Sequence, residues 1–438
     1  MNKFPNIEIA KQNIRKQLLA DDRVWVVTFS GGKDSTLLLQ LVMEVLLELR
    51  EEGIEVSKKI YIISSDTGVE MPIMEAYHFK KMQQLRDFVE KENLNVEVKL
   101  VTPNVEDDFF VCMLGRGYPS PNLMTFRWCT DRIKIKPSTQ FLQSVIDKYS
   151  SIVMLLGVRL DESIARANSI NRREENERDL TIHEQLPNAY TYSPIKYVPV
   201  SELWAYLCSN EALWETHQDM IALYDKGSGE ADCNIILHPN SESCSKTRFG
   251  CWVCTVKESD SSMENAIKNG ETWQQPFLDF RNKIYAYRYD HSKRREKTKK
   301  GQGFAGAFYL EIRKELLKDL FEIEKSVGDK LFSVLGRRTL LTDEQILEIN
   351  KEHRKDGDFC NDAFKMANQY GRDFEIIETK INEDVKEICK NNGLDACFID
   401  EMLKINYKHR HSMKRLGIKK EQDALITMYV QGVVHEDK

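Results

Sequence analysis

The fold of this chain is indicated by the stretch Val26-Val27-Thr28-Phe29-Ser30-Gly31-Gly32-Lys33-Asp34-Ser35-Thr36. A β-rich apolar run ends at two glycines, and helical apolar spacing begins directly after them. Glycines let a backbone approach a phosphate closely, and the first N–H groups of a helix favour an anion there. Lys33 adds a positive charge, and the hydroxyls of Ser30 and Ser35 add hydrogen-bond donors. The stretch therefore predicts a phosphate-binding loop between a strand and a helix.

This loop differs from the common P-loop, because Asp34 follows Lys33 where Ser or Thr is required and the upstream glycine is missing. A simple strand–turn–helix unit, capped by Asp34 or Ser35, is the alternative interpretation. The hexapeptide 30–35 resembles the pyrophosphate loop of the ATP-pyrophosphatase superfamily, also called the adenine nucleotide α-hydrolases. That resemblance implies ATP binding, with cleavage between the α and β phosphates in many members.

The sequence around the loop predicts an α/β protein. Short β-rich apolar runs alternate with segments of helical spacing up to about residue 200. This order predicts a mainly parallel sheet flanked by helices, with ligands at the carboxyl ends of the strands. The predicted strands cover residues 24–29, 60–63, 96–101 and 152–156, and the predicted helices between them cover 36–48, 73–91 and 138–148.

Three parts are expected along the chain. Residues 1–225 carry the alternating pattern and form the nucleotide-binding domain. Residues 226–270 form a Cys-rich loop, because the stretch up to about residue 262 is rich in Gly, Ser, Asn and Cys. Residues 271–438 form a helical carboxyl-terminal domain, because their apolar residues recur at helical spacing.

The composition excludes several protein classes. Hydrophobic residues make up 41 % of the 438 residues and charged residues 30 %, which excludes a mostly disordered or fibrous chain. The net charge of −6 excludes a polycation that binds nucleic acid by charge alone. No apolar run of about 18 residues and no secretion signal occur, so we expect a cytoplasmic protein without membrane contact. The ten cysteines are too sparse for a disulfide scaffold and are expected to be reduced thiols or metal ligands.

A second motif, Asp66-Thr67-Gly68-Val69-Glu70, follows the second predicted strand, where a parallel sheet places its site residues. This D-T-G-x-E pattern resembles the phosphoadenylylsulfate (PAPS) reductase branch of the superfamily. Three roles stay open for Asp66: it binds Mg²⁺, it binds the ribose, or it caps its own turn.

A third motif runs from Gly157 to Arg166 after the fourth predicted strand, and it resembles the G-x-R-x-x-E-S-x-x-R of the same branch. Arg159 and Arg166 are planar cations suited to bidentate phosphate contacts. The alternative is that both arginines form ion pairs with Glu162 along one helix face.

A cysteine constellation lies in the predicted loop. Cys251-Trp252-Val253-Cys254 is a C-x-x-C motif, and Cys244 lies seven positions before it. The motif alone is compatible with zinc, redox or iron–sulfur sites. Three thiolates need a fourth ligand to complete an all-cysteine tetrahedral set, and Cys129 lies in a polar loop whose arginines favour a thiolate. The other candidates are Cys233, Cys112 and Cys208, of which the last two are expected to be core thiols.

The segments Trp128–Lys134 and Ser243–Thr255 resemble the DndC family, the sulfurtransferases of bacterial DNA phosphorothioation systems. That resemblance implies a [4Fe–4S] cluster, with zinc as the alternative metal because four thiolates suit both. The implied ligands are Cys129, Cys244, Cys251 and Cys254, with Cys233 as the replacement if one of them is wrong.

Residues 281–300 hold nine Lys and Arg against two acidic residues, with three tyrosines between the charges. Such a concentration of cations favours binding to phosphate backbones, although a solvated helix end and linker is the alternative. The DndC resemblance makes DNA the expected partner of this segment. The residues expected to contact DNA are Lys293, Arg294, Arg295, Lys297, Lys299 and Lys300.

The resemblance implies sulfur transfer to DNA: ATP is split to AMP and pyrophosphate, a backbone phosphate is activated, and sulfur replaces a non-bridging oxygen. A cysteine desulfurase and the other subunits of the phosphorothioation complex are the implied partners, and Mg²⁺ the implied ion. A PAPS reductase or ATP sulfurylase-type enzyme is one alternative, and a non-catalytic nucleic-acid-binding metal module is another. The expected catalytic residues are Lys33, Asp34, Asp66 and Arg159, and the expected nucleotide-binding residues are Ser30, Gly31, Gly32, Lys33, Asp34, Ser35, Asp66, Gly157, Arg159 and Arg166.

Overall fold

The computed structural model describes residues 3–122, 127–160, 180–227, 250–296, 306–376, 383–409 and 417–436. The chain divides into two compact units. The first unit comprises Met1–Pro103, Trp128–Trp252 and Asp260–Gln275, and the second comprises Asn104–Arg127, Val253–Ser259 and Pro276–Lys438.

A six-stranded sheet forms the centre of the first unit. The strands are β1 (Val24–Thr28), β2 (Ile60–Ser65), β3 (Val96–Val101), β4 (Ile152–Leu155), β5 (Thr181–Ile182) and β6 (Ala189–Tyr192). Their order is β3-β2-β1-β4-β6-β5, and all neighbours are parallel except β5 and β6. The order of strands along the chain reverses at β1, so the carboxyl ends of β1 and β4 border the crevice where ligands of such sheets bind.

Helices cover both faces of this sheet, which explains why β1 is apolar and buried from Val24 to Val27. The helices of the first unit are α1 (Pro5–Leu18), α2 (Lys33–Glu51), α3 (Pro72–Lys91), α4 (Lys136–Tyr149), α5 (Val200–Ser209), α6 (Gln218–Gly227) and α7 (Ser261–Lys268). Trp25 and Val27 point into a core formed with α1, α2, α3, α5 and α6. Val24 and Val26 point to the opposite face, where Leu142 and its neighbours on α4 pack.

The second unit is helical in its described residues. The helices are α8 (Gln275–Tyr289), α9 (Leu310–Leu335), α10 (Asp343–Lys355), α11 (Asp362–Gln369), α12 (Glu383–Asn391), α13 (Ala396–Lys408) and α14 (Ile418–Glu436). A π-helical turn, Val111–Gly115, packs against α9 and α10. The fully buried Arg313 of α9 donates hydrogen bonds to the Gly115 carbonyl and to Asp356.

The predicted fold class is confirmed: a mostly parallel sheet flanked by helices, with a helical carboxyl-terminal region. The strand β3 has the predicted bounds, and the other predicted strands and helices differ by a few residues at their ends. The strands β5 and β6 were not predicted, because they are short and lack a long apolar run. Among the helices that the structure describes, none is apolar over a length that would cross a lipid bilayer.

The expectation of reduced thiols is wrong for Cys360 and Cys397, which form a disulfide. The rings of Phe359 and Phe398 are in contact, with centroids 5.9 Å apart, and this packing brings the adjacent cysteines together. The carboxylate of Asp395 also lies close to both sulfurs, but the bonded sulfurs offer no thiolate to a metal. The expectation of a core thiol is also wrong for Cys208, which is exposed because it lies on the outer side of its helix.

Candidate functional site

The phosphate loop connects β1 to α2 and is held in shape by its own hydroxyls. Ser35 Oγ donates to the Gly32 carbonyl over 3.0 Å and accepts from the Ser30 N–H over 3.2 Å. Gly31 has a φ of +72°, a left-handed conformation that favours glycine. Gly32 is the N-cap of α2, and no side chain caps the helix there. The first amides of α2 are therefore placed to receive an anion.

Two tyrosines that the sequence did not indicate contact this loop. The Tyr77 hydroxyl donates to the Gly31 carbonyl over 3.1 Å. The Lys33 N–H donates to the Tyr224 hydroxyl over 3.3 Å, and the Lys33 ammonium lies 5.6 Å from the centre of the same ring. Both tyrosines are far from the loop in sequence, with separations of 46 and 191 residues between the bonded partners. No local pattern could have revealed them.

Arg159 supports the loop from the end of β4. Its Nε donates to the Asp34 carboxylate, and its Nη1 donates to the Val198 carbonyl over 3.2 Å. Asp34 also lies 3.3 Å from the Lys33 ammonium. The Arg159 side chain is only 2 % exposed, so in this structure it faces protein groups and positions Asp34. Glu162 and Arg166, its expected neighbours in the motif, lie outside the described residues.

Gly157 permits a close approach between the end of β4 and the first turn of α2. A Cβ at this position would lie 2.9 Å from both the N and the Cα of Ser35. Such a contact is shorter than any that real side chains make, so a larger residue would displace the loop. The lack of a side chain at Gly157 therefore allows the end of β4 to pack against Ser35 of the loop.

The D-T-G-V-E segment follows β2 on the same edge of the sheet. Asp66 Oδ1 accepts from the Gly68 N–H over 2.9 Å, so of its three possible roles the turn cap is the one observed. Glu70 accepts from the Thr67 hydroxyl over 2.5 Å. Burial raises the pKa of Glu70, and the Thr67 hydrogen bond and the nearby Lys134 charge act in the opposite direction.

Two of the segments that carry predicted ligand cysteines meet this edge. Cys251 pairs with Glu70 in an antiparallel bridge, and the Trp252 N–H donates to the Val69 carbonyl over 2.9 Å. Cys129 precedes α4, whose Ser138 hydroxyl lies 3.3 Å from that of Ser65. The fold thus brings Cys251 and the helix after Cys129 to residues 65–70. The two cysteines are far apart in sequence, so this meeting could not be inferred from motif spacing.

The exposure of the cysteines separates candidate ligands from core thiols. Cys129, Cys251 and Cys254 are partly exposed and take part in no disulfide, whereas Cys112 and Cys389 are buried. In the second unit, Arg281 Nε donates to the Cys254 carbonyl over 3.0 Å and holds the backbone of that cysteine. Partly exposed thiols suit a metal or cluster. Cys244 and Cys233 lie outside the described residues, so the four-cysteine ligand set stays a prediction.

Much of the positive charge in residues 281–300 is used inside the second unit. Arg281 and Arg288 are buried and donate to backbone carbonyls. Arg294 donates to the Gly306 and Arg288 carbonyls, and Arg295 lies 3.2 Å from Asp356. Lys293 is half-buried, with its ammonium 5.1 Å from the centre of a tyrosine ring. Lys297, Lys299 and Lys300 lie outside the described residues.

Comparison with known proteins identifies a family over most of the first unit. Residues 24–257 match the model of the phosphoadenosine phosphosulfate reductase domain. No curated protein matches the sequence.

Among solved structures, one match is the Candida glabrata FMN adenylyltransferase in complex with FAD and inorganic pyrophosphate. It is 13 % identical, has a TM-score of 0.31, and covers 52 % of this chain and 64 % of its own. The chain thus matches less than two thirds of that structure. Another match is the U34-tRNA thiolase NcsA from Methanococcus maripaludis with its [4Fe–4S] cluster. It is 15 % identical, has a TM-score of 0.29, and covers 65 % of this chain and 79 % of its own.

Proposed function

The chain belongs to the phosphoadenosine phosphosulfate reductase domain family, and we propose that it is a sulfurtransferase of DNA phosphorothioation. In this proposal the enzyme splits ATP to AMP and pyrophosphate and adenylates a DNA backbone phosphate. A persulfide sulfur then attacks that phosphorus, AMP leaves with the displaced non-bridging oxygen, and a second thiol cleaves the S–S bond and supplies the two electrons that leave a phosphorothioate. A cysteine desulfurase supplies the sulfur, and other subunits of the phosphorothioation complex assemble with the enzyme.

One structural relationship carries the proposal: the phosphate loop and a cysteine segment meet at one edge of one sheet. The loop after β1 is joined to β2 by the Phe29 N–H, which donates to the Ile63 carbonyl over 2.8 Å. β2 leads directly into residues 65–70, against which Cys251 pairs. The phosphate loop and Cys251 therefore lie at the carboxyl ends of β1 and β2. A sulfur transfer to an adenylated substrate requires that a phosphate site and a thiol lie at one edge in this way.

The residues of the loop suit cleavage between the α and β phosphates. The first amides of α2 and the Lys33 ammonium stabilise the negative charge of the departing pyrophosphate. Asp34 lies between Lys33 and Arg159 and fixes the ammonium next to the loop. Tyr77 holds the Gly31 carbonyl back, so that the amides face the ligand. Asp66 is the carboxylate proposed to hold Mg²⁺ at this edge, in addition to capping its turn.

The partly exposed thiols suit a [4Fe–4S] cluster, and the proposed ligands are Cys129, Cys244, Cys251 and Cys254. When bound, such a cluster supplies sulfur or electrons to the reaction. The chain itself contributes the placement: the Glu70 bridge fixes Cys251, and Arg281 fixes the carbonyl of Cys254.

DNA is the proposed substrate. Fewer cations of residues 281–300 are available to contact it than the sequence alone suggests. Because Arg294 and Arg295 bind protein groups, the proposed DNA contacts are carried chiefly by Lys293, Lys297, Lys299 and Lys300. The second candidate function is PAPS reduction, which the family match favours. PAPS is a small nucleotide, so its reduction would not require the cations of residues 281–300.

The experiment that tests the function is a product analysis with the anaerobically purified protein. ATP with duplex DNA, a cysteine desulfurase, cysteine and the partner subunits should yield AMP, pyrophosphate and phosphorothioate linkages, which survive nuclease digestion as modified dinucleotides. The same protein is also given PAPS and a dithiol. Sulfite release from PAPS without ATP cleavage would overturn the proposal in favour of the reductase. ADP and orthophosphate as the only products of ATP would overturn the proposed cleavage between the α and β phosphates.

A further inference from the structure

Tyr224 occupies a position on the phosphate loop that a nucleotide needs. Its hydroxyl accepts the N–H of Lys33, the first residue of α2, over 3.3 Å. A Cβ on Gly32 would lie 3.5 Å from the same hydroxyl oxygen, so the phenol stands directly against the loop. An oxygen that accepts a hydrogen bond from a helix N-terminal amide is the role that a phosphate oxygen plays in a nucleotide complex.

We infer that the Tyr224 hydroxyl stands in for a phosphate oxygen in the nucleotide-free enzyme and is displaced when nucleotide binds. The inference rests on the proposed nucleotide site and adds to it a residue that sets its affinity. Tyr224 is thereby a positioning residue: it accepts the hydrogen bond of the Lys33 amide until a phosphate replaces it.

The surroundings of Tyr224 support a defined resting position. Its ring packs edge-on against Trp204 of α5, with centroids 5.3 Å apart. The Lys33 ammonium lies 5.6 Å from the ring centre, within the range of a cation–π contact. The ring is thus held by α5 on one side and by the loop on the other. Lys33 contacts the tyrosine through both its amide and its side chain, and both groups are the ones expected to bind phosphate.

Loss of the Tyr224 hydroxyl should raise the affinity for nucleotide. Binding of a phosphate oxygen to the Lys33 amide must first break the hydrogen bond to Tyr224. Removal of the hydroxyl leaves that amide without this acceptor in the free enzyme, which raises the free energy of the free state and not that of the complex. The variant Tyr224→Phe should therefore bind nucleotide more tightly, by about two- to tenfold.

Tyr77 provides a matched control. It also places a phenol on the loop, but its hydroxyl donates to the Gly31 carbonyl and competes with no phosphate oxygen. The variant Tyr77→Phe should therefore bind nucleotide more weakly or equally, because it loses only support for the loop. The same chemical change at two tyrosines on one loop should thus have different effects on affinity.

The test is calorimetric titration of the full-length wild type, Tyr224→Phe and Tyr77→Phe with Mg–ATP and, separately, with pyrophosphate. Tighter binding of both probes to Tyr224→Phe alone is the expected result, together with a lower melting temperature of its free form. Tyr224→Met also lacks the hydroxyl and should likewise bind both probes more tightly than the wild type. It is used in place of Tyr224→Phe if that variant does not fold.

Three outcomes contradict the inference. Weaker or unchanged binding to the Tyr224 variants would show that the phenol does not compete with a phosphate. Equal tightening in Tyr77→Phe would show a general loosening of the loop. A wild type that binds neither ATP nor pyrophosphate would overturn the proposed nucleotide site and this inference together, whereas the first two outcomes leave that site standing.

Discussion

Asp34, the second residue of α2, accepts a hydrogen bond from the guanidinium of Arg159, which lies 125 residues later in the chain. Both side chains are largely buried, with exposures of 13 % and 2 %. The pair joins the phosphate loop to the segment that follows β4. This ion pair therefore links the two sides of the crevice between β1 and β4, in addition to the hydrogen bonds between these two strands.

Removal of one partner of this pair should destabilise the first unit. Arg159→Met leaves the Asp34 carboxylate buried beside Lys33 alone, and breaking a buried pair in this way costs about 3–5 kcal/mol of the free energy of unfolding. The double variant Asp34→Asn with Arg159→Met should recover part of that stability, because no carboxylate is then left without its guanidinium partner. The recovery is incomplete because the Lys33 ammonium loses its partner Asp34. ATP cleavage should stay low in both variants. Urea unfolding and AMP release measure the two effects, and a double variant no more stable than Arg159→Met would contradict the account.

A methyl group on Gly157 should displace the phosphate loop. The Cβ of Gly157→Ala would collide with the Ser35 backbone at 2.9 Å, so ATP affinity should fall at least tenfold while the circular dichroism spectrum is retained. Gly328→Ala is the matched control, since a Cβ there has its nearest neighbouring atom at 3.6 Å. It should leave ATP binding unchanged, and an equal decrease in the two variants would argue against a specific clash.

Serine substitutions should separate ligand cysteines from core cysteines. The anaerobic wild type should be brown and hold about four irons per chain, as a [4Fe–4S] cluster on four thiolates requires. Each of the variants at Cys129, Cys244, Cys251 and Cys254 should lose iron, whereas Cys389→Ser, a buried thiol in the second unit, should retain it. A colourless wild type with one zinc would remove the cluster from the proposed function.

The stability of the second unit should fall with pH below about 6.5. Burial, together with the nearby Arg313 charge, lowers the pKa of His353 to about 3, and its Nε2–H donates to the Leu114 carbonyl over 2.8 Å. The unfolded chain binds a proton at this histidine near pH 6.5, whereas the folded chain does not, so acid favours unfolding. In His353→Gln, unfolding measured by urea between pH 7 and 5 should depend less on pH.

Asp108 provides a control of opposite sign. Burial raises the pKa of Asp108 to about 6, so its contribution to stability is present in acid and disappears as the pH rises through about 6. Asp108→Asn should therefore steepen the decrease of stability in acid, where His353→Gln reduces it. Parallel changes in the two variants would contradict the assignment.

Charge reversal at Lys297, Lys299 and Lys300 should weaken DNA binding. Removal of each phosphate-binding cation should reduce the salt dependence of binding by about one unit of slope. A matched reversal at three lysines of α9 should leave binding unchanged, and fluorescence anisotropy with a labelled duplex measures both. Arg294 and Arg295 are kept, because their replacement would remove internal hydrogen bonds as well as charge. Equal affinities in the two triple variants would exclude the segment as a DNA contact. The control lysines are Lys318, Lys325 and Lys330.

Local sequence preferences were sufficient to predict the strand, turn and helix of the phosphate loop and the longer elements, but not the short strands β5 and β6. An apolar run that ends in Gly31 and Gly32 and continues at helical spacing specifies strand, turn and helix through interactions within a few residues. The same local preferences predicted β3 with its observed bounds and the helical region after residue 271. The family resemblance of residues 66–70 and 157–166 followed from contiguous motifs, which can be recognised without knowledge of the packing.

Which of these parts meet depends on the packing of the whole chain. That packing places Tyr77 and Tyr224 on the loop, directs Arg159 to Asp34, and brings Cys251 against its bridge partner. It also turns the arginines of the basic segment toward carbonyls and, for Arg295, toward the carboxylate of Asp356 in their own unit. Each of these contacts joins residues far apart in the chain, and its geometry follows from how the helices pack on the sheet and on one another. Periodicity and motif spacing report only on neighbours in sequence, so they could name the chemical groups but not the partners that those groups would find.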